Sequence, residues 1–145
     1  MKRKSGNIIG LTVMVDPDLT TDPAQRAGEI GKTVSFFPEK EIVTVRFKNR
    51  HQAVYPSNAL LTLQSKKSIL RALASGLIAN GNDCKTMLKI YRLAFIEKRL
   101  TKAMPLAMGN NTVRFYCIIS IKDWIVLQNE RKAKRICLSK RNRVQ

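Results

Sequence analysis

The stretch Glu29–Leu63 (EIGKTVSFFPEKEIVTVRFKNRHQAVYPSNALLTL) limits the possible folds more than any other part of the chain. Two runs, Ile30–Phe37 and Ile42–Lys48, alternate apolar and polar residues around a short turn containing Pro38. Side chains leave a strand on alternate faces, so a period of two rich in β-branched and aromatic residues predicts half-buried antiparallel strands. Gln52–Tyr55 and Ala59–Leu63 supply two further runs, joined by the turn Tyr55-Pro56-Ser57-Asn58, where Pro56 presets φ and Asn58 tolerates left-handed geometry. On this reading Val34 and Phe36 share one face, and Val43, Val45 and Phe47 share another. Thr33, Thr44 and Arg46 point the opposite way. Upstream, Ile8–Val15 reads as a first strand with Leu11, Val13 and Val15 on one face. Asp16–Ala27, with two Asp-Pro steps, is a loop. Such a meander is most of a small barrel.

From Ser65 the period changes. Ser65 caps an expected helix over Lys66–Ile78, with Ile69, Leu70, Leu73 and Leu77 on one stripe. Asn80-Gly81-Asn82 is a break, after which Asn82 or Asp83 caps a second helix running to about Arg99. Cys84, Met87, Leu88, Tyr91 and Phe95 recur along it at helical spacing. A third helical piece, about Thr101–Met108, is limited by Pro105, which is comfortable only near a helix start. Val113–Leu127 fits two patterns: Val113, Phe115, Cys117, Ile119 and Ile121 alternate as in a strand, while Cys117, Ile118, Ile121, Trp124 and Ile125 form a helical stripe that Asn111 or Thr112 would cap. Its helical neighbours favour helix, and strand stays open. Gln128–Gln145 is a basic tail. The expected fold class is α+β: an antiparallel β unit over residues 8–64, a helical unit of three to four helices over 65–127, and the tail over 128–145.

The β unit also resembles a known family. Gly10-Leu11-Thr12-Val13-Met14-Val15, followed by Gly28-Glu29-Ile30-Gly31-Lys32-Thr33-Val34, is similar to the KOW type of SH3-like barrel, with its Gly-led strand, loop and G-x-x-G-x-x-V entry into the next strand. The V-x-V-x-F of Val43–Phe47 and a Tyr before the last short strand also suit related Tudor-like barrels. The resemblance spans residues 8–64, and the loop Asp16–Ala27 is long for the pattern. It implies a small antiparallel SH3-like β-barrel. KOW-like barrels bind RNA or proteins of the transcription and translation machinery, and Tudor-like barrels bind peptides; the resemblance does not choose between them. The C-terminal half resembles no family beyond a single tetratricopeptide-like helical hairpin that has no second copy.

Charge is the strongest compositional fact. The net charge is +17, with 27 Lys and Arg against 10 Asp and Glu, and a chain this basic calls for an acidic partner. The excess is uneven: +3 over residues 1–64, +8 over 65–127 and +6 over 128–145. On the second helix Lys85, Lys89 and Arg92 fall at i, i+4 and i+7, and Arg99 continues the line if the helix runs on. The tail adds Arg131, Lys132, Lys134 and Arg135, followed by Lys140, Arg141 and Arg143. Lys32, Arg46, Lys48 and Arg50 extend the set onto the strands. Phe37 and Tyr55 are free to stack on bases, whereas Phe36 and Phe47 belong to apolar strand faces. Each cluster alone also fits an ordinary solvated surface. Together they point to a non-enzymatic module that contacts nucleic acid, RNA or DNA, through its phosphates. The alternative is a structural or assembly protein docking on an acidic protein surface, as in a phage particle or bacterial complex.

Other chemistry is thin. There is neither a G-x-x-x-x-G-K-[ST] nor a G-x-G-x-x-G phosphate loop. The single histidine, His51, sits among turn residues, and the carboxylates Asp16, Asp18 and Asp22 lack the glycine and distal glutamate of a calcium loop. Three scattered cysteines, Cys84, Cys117 and Cys137, suit neither a disulfide framework nor a zinc site, and read as reduced thiols of a cytoplasmic protein. Lys2, Arg3 and Lys4 before an eight-residue apolar run make a poor export signal, since the run ends in Asp16 without a small-residue cleavage site. Neither an enzyme, a cofactor, a metal, a small-molecule substrate nor a membrane role is expected.

Overall fold

Every alternating run of Glu29–Leu63 forms a strand in the computed structural model, which describes residues 8–144, with the side chains of the last helix described as far as Ser139. Residues 1–7 and Gln145, including the basic start, lie outside the described residues. The strands are β1 (Thr12–Val15), β2 (Ile30–Phe37), β3 (Ile42–Phe47), β4 (Gln52–Pro56) and β5 (Leu60–Leu63), with a 3-10 turn, Ser57–Ala59, between the last two. Consecutive strands β1 to β4 pair antiparallel, and β5 returns to the free side of β1. A sixth strand, β6 (Ile118–Ser120), then joins β5 from far along the chain. The result is an antiparallel sheet in the order β4-β3-β2-β1-β5-β6, with β4 and β6 as its edges.

One part of the expected pattern is overturned. Thr33 pairs with Val45, but Ser35 pairs with Thr44, so β2 carries an extra residue at Val34. Such a bulge shifts the alternation by one, and every residue on one side of it changes face relative to a period-two count. Thr33 therefore points inward beside Val45, not outward with Arg46, and is only 1% exposed. Its hydroxyl donates to the Ile8 carbonyl and accepts from the Leu11 amide at 3.0 Å. Replacing a buried hydroxyl that makes both bonds by a methyl of the same shape removes about 1–2 kcal/mol. Thr33→Val is expected to lower unfolding stability by that amount in a urea titration. Thr44→Val, on the outer face, is expected to stay within about 0.5 kcal/mol of the wild type.

The helices are α1 (Lys66–Ala74), α2 (Gly81–Tyr91), α3 (Leu100–Ala107), α4 (Asn111–Cys117) and α5 (Ile121–Val144). Ser65 caps α1 by accepting from the Ser68 amide at 3.2 Å. The caps of α2 and α4 each fall earlier than the sequence suggests. Asn80 accepts from Asn82 N at 2.8 Å, and Asn110 accepts from Val113 N at 2.8 Å. The second helix does not run to Arg99. It passes into a π turn, Arg92–Ile96, and the chain then bends at Lys98, whose φ is 58°. Pro105 sits inside α3, which ends two residues later. The ambiguous stretch is both helix and strand: α4 ends at Cys117, three residues form β6, and Ile121 starts α5. The open edge of β5 explains the strand, because it supplies backbone partners at Leu61, Thr62 and Leu63. The basic segment after Leu127 is not set apart from the helices; it continues α5 as far as Val144.

Two apolar clusters hold these elements. In the first, Val13, Val15, Val43, Val45, Phe47, Tyr55 and Leu60 pack with Ile121, and Trp124 and Ile125 lie against them. The second gathers Ile69, Met87, Ile90, Ala103, Ala107, Val113 and Cys117, with Leu63 reaching in from β5. Burial pushes the Cys117 thiol up to about 12, so it is a packing group and not a nucleophile at neutral pH. Arg114 on α4 ties the halves together, 3.0 Å from Asp18 and 3.6 Å from Asp16 in the loop after β1. No helix among the described residues is long and apolar enough to cross a membrane.

Candidate functional site

The antiparallel register of β2 and β3 sets Lys32 directly opposite Arg46. Lys48 follows Arg46 by two residues and continues the same side of the strand line. Like charges directly across a ladder are destabilising unless something of opposite sign lies between them. Among the described residues, none of the three has an acidic side chain within ion-pair distance. Arg46 is nevertheless held in place. Its register partner on β4 is Gln52, whose side-chain amide lies 3.2 Å from Arg46 Nε and 3.1 Å from Nη2; both are donors, which assigns the amide oxygen to that side as their acceptor. Lys32, Arg46 and Lys48 line a groove of about 940 Å³, together with apolar surface from Ile9, Ile30 and Val34. Thr101, in the first turn of α3, contributes from the helical half. The bulge puts Val34 on this side, so the same irregularity that buries Thr33 gives the groove part of its apolar surface.

Arg50 stands next to this site, in the β3–β4 turn, exposed and with a left-handed φ of 69°. The neighbouring turn is a local network. Arg26 lies 4.8 Å over the Phe47 ring, 2.9 Å from Glu29, and 2.8 Å from His51 Nδ1, which accepts from it. His51 thus serves as a polar turn residue. The loop carboxylates are likewise engaged: Asp16 and Asp18 with Arg114, and Asp22 with Tyr55.

Of the helical cations, Lys85 and Lys89 are exposed on α2. Arg92 and Arg99 do not continue a straight stripe. The π turn and the bend at Lys98 redirect the chain, and both guanidinium groups instead approach Glu97, at 3.6 and 3.9 Å. A shared carboxylate takes up part of their charge. Arg131, Lys132, Lys134 and Arg135 all lie on α5, where every residue from 131 to 139 is exposed. The apolar side chains of this stretch are exposed as well, Ile136 at 49% and Leu138 at 57%, so it gains nothing from packing within the chain. The side chains of Lys140, Arg141 and Arg143 lie outside those described.

The aromatic expectations divide. Phe37 is 48% exposed, with Lys40 Nζ 5.8 Å from its ring centre. Tyr55 is not free: it is a core residue, and its hydroxyl donates to Asp22 at 3.0 Å. Sequence reasoning missed Gln52, Ile9 and Thr101 as parts of the site, and Phe115, which is 76% exposed on α4. Strand register would have found Gln52; the others are brought in by tertiary packing alone.

The Asp22–Tyr55 bond gives the β unit a defined pH window. Burial works against the Asp22 carboxylate, but the Arg26 and Ala24 amides and the Tyr55 hydroxyl outweigh it and hold its pKa below 3.8. Burial, then the bond to Asp22, pushes Tyr55 up to about 12 from 10.0. A lowered acid stabilises the fold above its unfolded pKa and loses that contribution as pH falls through the folded one. A raised phenol contributes below its unfolded pKa and loses the contribution as pH rises towards 12. Melting curves of wild type and Asp22→Asn are therefore expected to differ at neutral pH and to converge below about pH 4.

Comparison with family models, curated proteins and solved structures finds no match to this chain.

Proposed function

We propose that the chain is a non-enzymatic nucleic-acid-binding module, built on a small SH3-like barrel and gripping phosphates with little sequence specificity. The strand order, with β5 returning to β1 after a 3-10 turn, supports the barrel reading. The observation that carries the functional reading is Lys32 opposite Arg46 with no acid in ion-pair contact with either among the described residues. A phosphate between two such cations turns a repulsion into two charge-assisted bonds. The exposed cations of α5 and of Lys85 and Lys89 add a second, diffuse attraction, and nucleic acid is the polyanion that can engage separated clusters along one chain.

The test is anisotropy of a labelled mixed-sequence oligonucleotide at low salt. Alanine replacement of Lys85 and Lys89, of Lys32, Arg46 and Lys48, or of Arg131, Lys132, Lys134 and Arg135 is expected to weaken binding in each case, the groove set most. Nucleic acid is also expected to accompany the protein through purification as excess 260 nm absorbance that nuclease removes. No binding at low salt overturns the reading.

A second reading, docking on an acidic protein assembly, is favoured by a different observation. Phe115 and Leu77 are 76% and 73% exposed beside Arg71 and Tyr116, around a second hollow of about 460 Å³. Exposed apolar groups rimmed by polar ones suit a protein partner better than a phosphate backbone. Co-purification with an assembly that survives nuclease treatment would favour it.

A further inference from the structure

We infer that the groove between β2, β3 and the start of α3 accepts an unpaired nucleotide of single-stranded nucleic acid, with its phosphate between Lys32 and Arg46 and its base against Ile9, Ile30 and Val34. This rests on the nucleic-acid reading and narrows it from polyanions in general to strands whose bases are free.

The charges set the first half of the argument. Side chains directly opposite on an antiparallel pair start about 5 Å apart at Cβ, so the Lys32 ammonium and the Arg46 guanidinium can reach the same phosphate. Arg46 presents a planar fork, and with the Gln52 amide oxygen assigned to face it, Nε and Nη2 are already engaged before any ligand arrives. A site whose donors are already oriented loses less entropy on binding.

The apolar surface sets the second half. Ile9 is 43% exposed, and Ile30 and Val34 are half-buried, on the same groove as three cations. In a duplex the base faces are stacked on one another, so only phosphates would meet this groove and its apolar surface would stay wet. An unpaired base has two flat faces to offer, and covering apolar surface with one of them removes both from water. The size agrees: about 940 Å³ is at the upper end of sites that enclose a small-molecule-sized group, and a base with its sugar and phosphate is such a group. An acidic peptide would satisfy the cations but bring no flat apolar partner, so it is a competitor in the test and not the inferred occupant.

The probes are fluorescently labelled oligothymidylate, the duplex it forms with oligodeoxyadenylate, and unlabelled polyglutamate as competitor, all at one salt concentration. The single strand is expected to bind about tenfold more tightly than the duplex, as covering about 50–60 Å² of apolar surface with one base supplies. Ile9→Ser, at an exposed position, is expected to remove most of that preference while lowering duplex affinity far less. Val34→Ser repeats the test if the first variant shifts the melting temperature. Lys32→Gln is expected to weaken both probes. Equal affinity for single strand and duplex overturns the inference and leaves the broader reading standing. No binding of either probe overturns both.

Discussion

Gly31→Ala is expected to destabilise the protein by about 3 kcal/mol, the upper part of the range for overpacking a closed site. A Cβ at this position would lie 2.6 Å from the Arg46 carbonyl oxygen and 2.7 Å from Val45 Cγ1. Neither neighbour can give easily. The carbonyl belongs to β3, paired with β2 on one side and β4 on the other, and Val45 is wholly buried. Ordinarily a Gly to Ala change gains about 0.4–1 kcal/mol by restricting the unfolded chain, and here the collision outweighs it. Gly81, at the start of α2, is the control, since a Cβ there meets nothing within 4 Å. Gly81→Ala is expected to be neutral or slightly stabilising. In thermal melts Gly31→Ala should be lower by about 10 °C, while Gly81→Ala should hold or rise slightly. A Gly31→Ala protein as stable as the wild type would mean that β2 and β3 are not so closely apposed.

Lys32→Glu is expected to separate stability from binding. It replaces a repulsive cross-strand pair with an attractive one, worth about 0.5 kcal/mol or somewhat more on an exposed sheet face. The melting temperature should hold or rise. Binding should fall by at least about tenfold, because one cation is lost and the new carboxylate occupies Arg46, in addition to repelling phosphate. A variant that is more stable and less active is the usual mark of a position kept for a ligand and not for the fold. If Lys32→Glu bound as well as the wild type, the groove would not be the phosphate site.

Much of the β architecture was legible because it depends on a local period. Val43, Val45 and Phe47 alternate inward as written, and all the runs of Glu29–Leu63 become strands. The bulge at Val34 was not legible, since one extra residue leaves no mark on composition, and it misassigned Thr33. The π turn at Arg92–Ile96 was hidden for a similar reason: its residues continue a helical stripe, and only the bend at Lys98 shows that Arg99 leaves it. β6 was half legible. Ile119 belongs to the strand pattern and Ile118 to the helical stripe, and the free edge of β5, a distant partner, decides. At the site, the cations could be named from sequence, but their relation could not. Lys32 and Arg46 stand fourteen positions apart in the chain and become neighbours only through register, which also delivers Gln52.

The central claim is that the cations of the groove meet phosphates. Its most direct test is the salt dependence of single-strand binding, measured for the wild type and for a protein carrying Lys32→Gln, Arg46→Gln and Lys48→Gln. Each phosphate contact on a single strand contributes about −0.7 to the slope of log affinity against log salt. The wild type is predicted to give a slope of about −4 or steeper, and the triple variant a slope shallower by about 2. A wild-type slope near zero, or the same slope in both proteins, would contradict the account.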